Sequence, residues 1–204
     1  MERMEGTNDK ELSLESIFID FNHPNPNINN RSVYLMIRDY YQESLERLIN
    51  NFGSSDLLLR RKSIKAITEF GEEAVNSLLA VLYSRNSNIV SISCLKTLTI
   101  MNSKYTFKLI LNEIPKIVEL FSRDDDPLVI LSLISFLRQS EKDGLEYLVS
   151  FSKDSNILKA KAAITAIAEI DDPRSKSCLR RISRNKHLDI ILTESAIAGL
   201  NSKI

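Results

Sequence analysis

A group of basic residues is the feature of this sequence with the greatest capacity for ligand chemistry. The segment Arg60-Arg61-Lys62-x-x-Lys65 has helical apolar periodicity, which places Arg61, Lys62 and Lys65 on the outward face of a helix. Arg61 and Lys65 are one turn apart, so they can flank one carboxylate or phosphate group. The alternative is a solvated helix face whose charges bind nothing. We treat the three residues as candidate ligand-binding or partner-binding side chains.

His23 is the second candidate for a binding role. It opens the turn His23-Pro24-Asn25-Pro26-Asn27, where its ring can either contact a ligand or serve the turn itself. We include His23 among the candidate binding residues and leave both roles open. Neither His23 nor His187 has carboxylate or thiol neighbours at metal-ligand spacing, so no metal site is predicted.

The sequence carries no recognisable catalytic motif. It has no glycine-rich phosphate loop, no GxSxG or HExxH motif and no nucleophile pattern of cysteine with histidine, so we predict no catalytic residue. The acidic run 124–126 could be a metal loop, but a capped helix follows it, and we interpret the run as a helix start. Cys94 and Cys178 lack CxxC partners, which predicts neither a disulfide nor a zinc site. Cys94 occupies a small core position.

These candidates lie on a chain that repeats itself. A stripe of a small or branched residue, followed by mostly apolar residues four and seven positions later, recurs at intervals of roughly 30 residues. Each interval holds a helix pair, which can bury its stripe only against the next pair. The sequence therefore predicts an all-α fold, an α-solenoid of about six helix pairs in a right-handed superhelix. The stripes are Val33-Ile37-Tyr40, Ser63-Ile67-Phe70, Cys94-Leu98-Met101, Leu133-Leu137-Ser140, Ala163-Ile167-Ile170 and Ala196-Leu200-Lys203.

Capping residues define the first predicted helices. Ser13 caps a helix over 13–21, and Asn27 caps the next helix, which runs to about residue 41. The following helices span 44–52 and 56–70. In the second helix, four residues are predicted to face inward: Ile28, Val33, Ile37 and Tyr40.

Glycine, proline and aspartate define the later boundaries. Gly71 is predicted to end a helix in the left-handed conformation. The extra length in residues 102–113 predicts a longer or broken helix in which Pro115 forms a kink or begins the second part. Asp126-Pro127 and Asp172-Pro173 each begin a further helix. The predicted spans are 72–83, 88–101, a broken helix to 121, 127–138, 145–151, 156–170, 174–183 and 188–200.

The composition restricts the class of protein. With 204 residues, 43% of them hydrophobic, the chain can form one continuous core, so we predict a flexible segment over residues 1–12 and a single repeat domain over 13–204. Its 27 basic and 27 acidic residues leave no net charge to attract nucleic acid. Neither a signal peptide nor a membrane span is recognisable, so we expect a cytoplasmic protein that does not insert into membranes.

Several segments resemble a known family. His23-Pro24-Asn25-Pro26-Asn27-Ile28-Asn29, Leu59-Arg60-Arg61-Lys62-Ser63-x-Lys65-Ala66 with Phe70-Gly71, and Ala74-Val75 with Leu78-Leu79 are similar to the HEAT-like phycobilin lyase subunits of the CpcE/CpcF type. The similarity is greatest to the phycoerythrin-associated members. Later segments agree with it: Asp171-Asp172-Pro173-Arg174-Ser175 and Glu194-Ser195-Ala196-x-x-Gly199-Leu200.

The resemblance implies a HEAT-like repeat domain that assists attachment of a linear tetrapyrrole to protein cysteines. It implies an accessory subunit or chaperone-like partner of a phycobilin lyase, with phycoerythrobilin as a transferred ligand rather than a permanently bound cofactor. The implied partners are phycoerythrin subunits and a larger HEAT-repeat lyase subunit of the CpeY type. Arginines in HEAT-type repeats also imply a structural pair between Arg60 and Asp56.

Two other functions remain open at the level of sequence. A HEAT-repeat scaffold would bind a protein partner without meeting a pigment, and a phycobilisome-degradation adaptor would use similar repeats. The absence of a catalytic motif is compatible with all three, because in bilin attachment the thiol nucleophile belongs to the substrate protein. Whether the chain is a catalytic lyase subunit or a non-catalytic chaperone therefore stays open.

Overall fold

The computed structural model describes residues 12–105 and 107–202, and these residues form α-helices joined by short turns. No β-strand occurs in the described ranges, which confirms the prediction of an all-α protein. The chain divides into two compact units, an amino-terminal unit over Met1–Phe70 and a carboxy-terminal unit over Gly71–Ile204. The predicted flexible segment falls on residues 1–12, of which 1–11 lie outside the described residues.

The amino-terminal unit contains four α-helices. Its helices are α1 (Leu14–Phe21), α2 (Pro26–Asp39), α3 (Tyr41–Asn50) and α4 (Leu57–Ile67), with a short 3-10 helix over Asn51–Gly53 after α3. Helix α1 packs against α2, while α3 packs against both α2 and α4. The largest fully buried side chains of this unit are Ile17, Phe21, Met36, Leu45, Leu48, Phe52 and Ile67.

Local capping explains where these helices begin. The Ser13 hydroxyl accepts a hydrogen bond from the Ser16 N–H at 3.3 Å, as predicted. The prediction for α2 is wrong by two residues, because Asn25 is the cap and its side chain accepts from the Asn27 N–H at 3.0 Å. Pro26 then stands at the first helical position, where its missing N–H costs nothing.

The inward face of α2 also differs from the prediction. Of the four residues expected to face inward, only Val33 is buried, while Ile28, Ile37 and Tyr40 are partly exposed. The core is instead reached by Ser32, Leu35 and Met36. The reason is tertiary, because the side of α2 that carries Val33 and Ile37 borders an open cleft.

The carboxy-terminal unit contains nine α-helices in its described part. Helices α6, α9, α11 and α13 pack serially on one another, and α5, α8, α10 and α12 each pack on the helix beside them. The bounds are α5 (Glu73–Ser84), α6 (Asn88–Tyr105), α7 (Lys108–Asn112), α8 (Ile114–Phe121), α9 (Pro127–Gln139), α10 (Glu141–Phe151), α11 (Ile157–Glu169), α12 (Pro173–Ser183) and α13 (Ile190–Asn201).

Proline acts in these helices as the sequence predicts. Pro115 lies in the first turn of α8, so the extra length is a broken helix made of α7 and α8. Asp126 and Asp172 cap α9 and α12, each followed by proline at the first helical position. Gly71 has the predicted left-handed conformation, with a φ of 77°, but it does not end the helix, because α4 already ends at Ile67 with Thr68 as its cap.

Two candidate chemical features prove to be structural. Asp126 caps α9, and Asp124 forms a 2.5 Å ion pair with Arg85, so the acidic run is a helix start as interpreted. Cys94 and Cys178 are both buried and unpaired. Burial raises the pKa of the Cys94 thiol to about 12, which suits a core side chain rather than a nucleophile.

The helices bear on the expectation that the chain does not insert into membranes. Within residues 12–105 and 107–202, no helix combines the length with the hydrophobicity that a membrane crossing requires. The right-handed superhelix of about six pairs and the single repeat domain over 13–204 remain predictions.

Candidate functional site: a cationic cleft in the amino-terminal unit

A cleft of about 750 Å³ opens in the amino-terminal unit. It lies between the turn that joins α1 to α2, the exposed side of α2, and α4. The cleft brings together His23, Lys62 and Lys65, three of the four candidate binding residues from two distant parts of the sequence. Its volume falls in the range of about 300–1,000 Å³ that is typical of small-molecule sites.

The wall of the cleft is largely apolar. Phe21 and Val33 form a buried floor, whereas Tyr34 is 61% exposed and stands at the edge. Such a surface can hold flat or elongated apolar groups, because their contact with it removes apolar area from water. The remaining lining residues are Pro24, Pro26, Asn29, Asn30, Ile37, Ala66 and Glu69.

His23 serves the turn and still presents a donor. Its Nδ1 accepts a hydrogen bond from the Asn25 N–H at 3.0 Å. An accepting Nδ1 carries no proton, so the neutral ring holds its proton on Nε2. No described residue forms a hydrogen bond with that Nε2. The two roles that the sequence left open for His23 are therefore compatible.

Two further contacts fix the turn against the helices. Asn29 of α2 donates a side-chain hydrogen bond to the carbonyl oxygen of Phe21, at the end of α1. The Lys62 Nζ of α4 lies 3.5 Å from the carbonyl oxygen of Asn22. An ammonium group has three donors, so Lys62 can reach this carbonyl and still bind an anion in the cleft.

Lys65 and Arg61 differ in position although both are exposed on α4. Lys65 lines the cleft, whereas Arg61 is not among its lining residues. The structure therefore groups Lys65 with Lys62 and His23, and it separates Arg61 from them. The ligand-binding or partner-binding role of Arg61 stays a prediction.

Arg60 is a structural residue, but its predicted partner is wrong. Its guanidinium donates to the carbonyl oxygen of Ser54 rather than to Asp56. The Asp56 carboxylate instead caps α4, accepting hydrogen bonds from the N–H groups of Leu58 at 2.8 Å and Leu59 at 3.1 Å. Asp56 acts as the cap of α4 rather than as the partner of Arg60, because the N–H groups in the first turn of a helix lack hydrogen-bond partners within the helix.

Arg38 cannot contribute a free charge near the cleft. It forms a 2.6 Å ion pair with Asp39 and lies 5.7 Å from the centre of the Tyr34 ring. Hydrogen bonding from Arg38 lowers the pKa of the Asp39 carboxyl. The cationic character of the cleft therefore comes from Lys62 and Lys65, whose two charges exceed that of the lining carboxylate Glu69.

The arrangement can bind a ligand but offers no nucleophile. Two ammonium groups and an imidazole N–H can hold carboxylates or carbonyl oxygens, while the apolar wall holds the body of the molecule. Both cysteines are buried in the other unit. No cluster of metal-ligating side chains occurs within the described ranges.

Sequence reasoning missed two features of the carboxy-terminal unit. The first is an apolar groove of about 620 Å³ on α9, α11 and α13, which Leu131, Leu158 and Ile191 help to line. Exposed apolar residues just after helix caps were a signal for it. The second is the basic surface of α12, which a count of charges over residues 173–188 would have found.

Comparisons with known proteins give two distant relatives. The chain is 22% identical over 191 residues to "Uncharacterized phycocyanin operon protein Z" of Pseudanabaena tenuis, covering 93% of this chain and 95% of that protein. It is 21% identical over 174 residues to "Bilin biosynthesis protein CpeZ" of a Synechococcus species, covering 82% of this chain and 94% of that protein. No protein-family model matches the chain.

Proposed function

We propose that this chain is an accessory subunit or chaperone-like partner of a phycobilin lyase, and that it assists covalent attachment of phycoerythrobilin to cysteines of phycoerythrin. The names of the two relatives, one from a phycocyanin operon and one from bilin biosynthesis, support a role in phycobilin biosynthesis. Within the structure, the observation that carries the proposal is the cleft that combines an apolar wall with Lys62, Lys65 and His23.

The chemistry of the cleft fits a linear tetrapyrrole. Such a pigment has a long conjugated body and two propionate groups, which are the chemical counterparts of the apolar wall and the two lysines. Lys62 and Lys65 would bind the propionates. The Nε2–H group of His23 would donate a hydrogen bond to a carboxylate or carbonyl oxygen of the pigment. Tyr34, at the edge of the cleft, offers an aromatic face to the rings.

The positions of the thiols support an assisting role. Cys94 and Cys178 are buried in the carboxy-terminal unit, so the chain offers no exposed thiol that would compete for the pigment. The thiol that forms the bond would come from phycoerythrin. This chain would contribute by holding the pigment in one conformation and presenting it to that thiol.

The fold proposed with this function is a HEAT-like α-solenoid of about six helix pairs with a right-handed superhelix. The serial packing of α6, α9, α11 and α13 supports repeats in the carboxy-terminal unit. The partners that we propose are phycoerythrin subunits and a larger lyase subunit of the CpeY type. Repeat proteins of this kind suit such partners because they expose long binding surfaces.

Co-expression tests the proposal directly. Phycoerythrin subunits, the larger lyase subunit and a supply of phycoerythrobilin are produced with and without this chain, and covalent pigment on phycoerythrin is measured by absorbance after denaturation. We expect the chain to increase the yield of pigmented subunit. No increase would contradict the accessory role and leave the protein-interaction scaffold as the better description.

A double variant tests the cleft itself. Lys62→Gln with Lys65→Gln removes both ammonium groups, and we expect it to lose most of the gain in pigment attachment. The matched control is Lys96→Gln with Lys153→Gln, which removes two exposed lysines of the other unit. If the first variant supports attachment as well as the control does, the cleft is not the pigment site.

A further inference from the structure

Helix α12 and the turn after it form the most basic stretch of the chain. Residues 173–188 contain six arginines and lysines and no aspartate or glutamate. The chain as a whole has as many acidic as basic residues, so this local excess is a specific feature of α12. The six cations are Arg174, Lys176, Arg180, Arg181, Arg184 and Lys186.

The helix separates its apolar and basic residues on opposite faces. Its buried face consists of Ser175, Cys178, Leu179 and Ile182, and it packs against α11 and α13. The opposite face surrounds a concavity of about 520 Å³. The lining residues of the concavity are Ser177, Arg180, Arg181, Arg184 and Asn185.

The arginines at the two ends of α12 have different environments. Arg174 has carboxylate partners, with Asp172 at 2.9 Å and Glu146 at 4.0 Å. Among the described residues, no carboxylate forms an ion pair with the three arginines that line the concavity. Within residues 12–105 and 107–202, the one polar contact of their side chains is from the Arg181 Nη2 to the Cys178 Sγ at 3.9 Å.

Three unpaired guanidinium groups within two helical turns repel one another. A cation near a helix C-terminus is favoured by the helix dipole, but like charges three and four residues apart are unfavourable. Arg180 and Arg184 are four residues apart, and Arg181 and Arg184 are three apart. An anion bound between them would remove this repulsion and accept several hydrogen bonds.

An exposed apolar end lies beside this basic face. Helices α12 and α13 pack on each other and are joined by residues 184–189, so the end of α12 and the start of α13 lie close together. Ile190 is 69% exposed and Ile191 is 43% exposed at that start. Protein interfaces commonly combine an apolar contact with a charged rim.

We propose that Arg180, Arg181 and Arg184, with the exposed Ile190, form a docking surface for an acidic and partly apolar segment of a protein partner. Residues 173–188 contain no phenylalanine, tyrosine or tryptophan, the residues that usually form stacking platforms for nucleic-acid bases. The zero net charge of the chain also gives no long-range attraction for a polyanion. The proposal concerns a different surface from the cleft and goes beyond the pigment-related function.

Fluorescence anisotropy tests the docking surface on the full chain. The probe is a fluorescein-labelled helical peptide with one glutamate face and one leucine face, and the control peptide has glutamine in place of glutamate. We expect binding of the glutamate peptide, with affinity that falls as salt rises. Arg180→Gln with Arg184→Gln should weaken it about tenfold, the combined effect of two exposed ion pairs. Ile190→Ser should weaken it without changing the salt dependence.

The control variant and a competitor make the outcome decisive. Lys96→Gln with Lys153→Gln removes the same number of exposed charges from the same unit and should leave binding unchanged. Circular dichroism verifies that each variant is folded. Equal binding by the arginine variant and the control variant would overturn the proposal. So would equal binding of the glutamine peptide, or displacement of the probe by a thymidine oligonucleotide at lower concentration than by unlabelled peptide.

Discussion

The Nδ1 atom of His23 accepts a hydrogen bond from the backbone N–H of Asn25 at 3.0 Å, directly before the proline that begins α2. This contact fixes the tautomer of the ring, because only Nε2 can then carry the proton of the neutral form. A residue that shapes the turn thus also presents a hydrogen-bond donor beside the cleft. The two roles can be separated by the choice of substitution.

His23→Asn should keep the turn and withdraw the donor from the position of Nε2, because the shorter asparagine side chain holds its N–H groups closer to the backbone. An asparagine side-chain oxygen can accept from the N–H two residues later, so the free energy of unfolding should stay within about 0.5 kcal/mol of the wild type. Support for pigment attachment should fall, because the Nε2 proton is lost. Denaturant unfolding and the co-expression assay measure the two effects. In contrast, His23→Ala should also lose about 0.5–1.5 kcal/mol of stability.

Lys65 and Arg61 provide a matched pair on one helix. Both are exposed cations of α4, but only Lys65 lines the cleft. Lys65→Gln should weaken phycoerythrobilin binding by up to about fivefold, the effect of one exposed ion pair, while Arg61→Gln should leave it unchanged. Titration of the purified variants with the pigment, followed by absorbance, compares them. Equal losses would mean that the pigment lies across the outer face of α4 rather than in the cleft.

Local signals explain why many helix starts could be predicted. Ser13, Asp126 and Asp172 cap their helices through hydrogen bonds that depend on neighbouring residues alone. The start of α2 was harder, because Asn25 and Asn27 are both good capping residues. The proline between them decides in favour of Asn25, since it takes the first helical position.

Tertiary contacts explain what the sequence could not reveal. The cleft depends on the spacing between α2 and α4, so no local pattern could show that His23 and Lys65 share it. The same holds for Arg60, whose guanidinium finds the carbonyl oxygen of Ser54 once the preceding turn is formed. The basic face of α12 is different, because its charges are visible in the sequence without any tertiary information.

The repeat stripe of α4 should contribute strongly to stability. Ile67 is fully buried, and Ile67→Ala should cost about 2–5 kcal/mol of unfolding free energy through lost contacts and a cavity. Ile19 is 71% exposed in the same unit, so Ile19→Ala should change stability by less than about 0.5 kcal/mol. Denaturant unfolding measures both. Similar effects for the two variants would contradict the assignment of the stripe to the core.

The two cysteines should resist modification in the folded protein. Cys94 is fully buried and burial raises its pKa to about 12, while Cys178 is only 5% exposed, so neither sulfur is accessible to a reagent in the folded protein. Iodoacetamide should therefore label the native chain slowly and the urea-unfolded chain at both sites, as measured by mass spectrometry. Rapid labelling of Cys94 in the native state would show that the helices around it open readily.

The pair of Lys159 and Asp154 should make part of the stability depend on pH. Lys159 is 7% exposed, and its Nζ donates to the Asp154 carboxylate and to the Ser122 carbonyl oxygen, each at 2.6 Å. Hydrogen bonding from Lys159 lowers the pKa of the Asp154 carboxyl below its ordinary value of 3.8.

A folded-state pKa below the unfolded value means that the stabilisation is complete above pH 3.8 and is lost as pH falls through the lower folded-state pKa. Asp154→Asn should reduce stability at neutral pH by more than about 1 kcal/mol, because the charge on Lys159 loses its carboxylate. When the pH is lowered below 3.8, the variant should also lose less stability than the wild type, because it has no carboxylate at position 154 to protonate. Denaturant unfolding at neutral and acidic pH measures both effects, and parallel pH profiles for the two proteins would contradict the role of the pair.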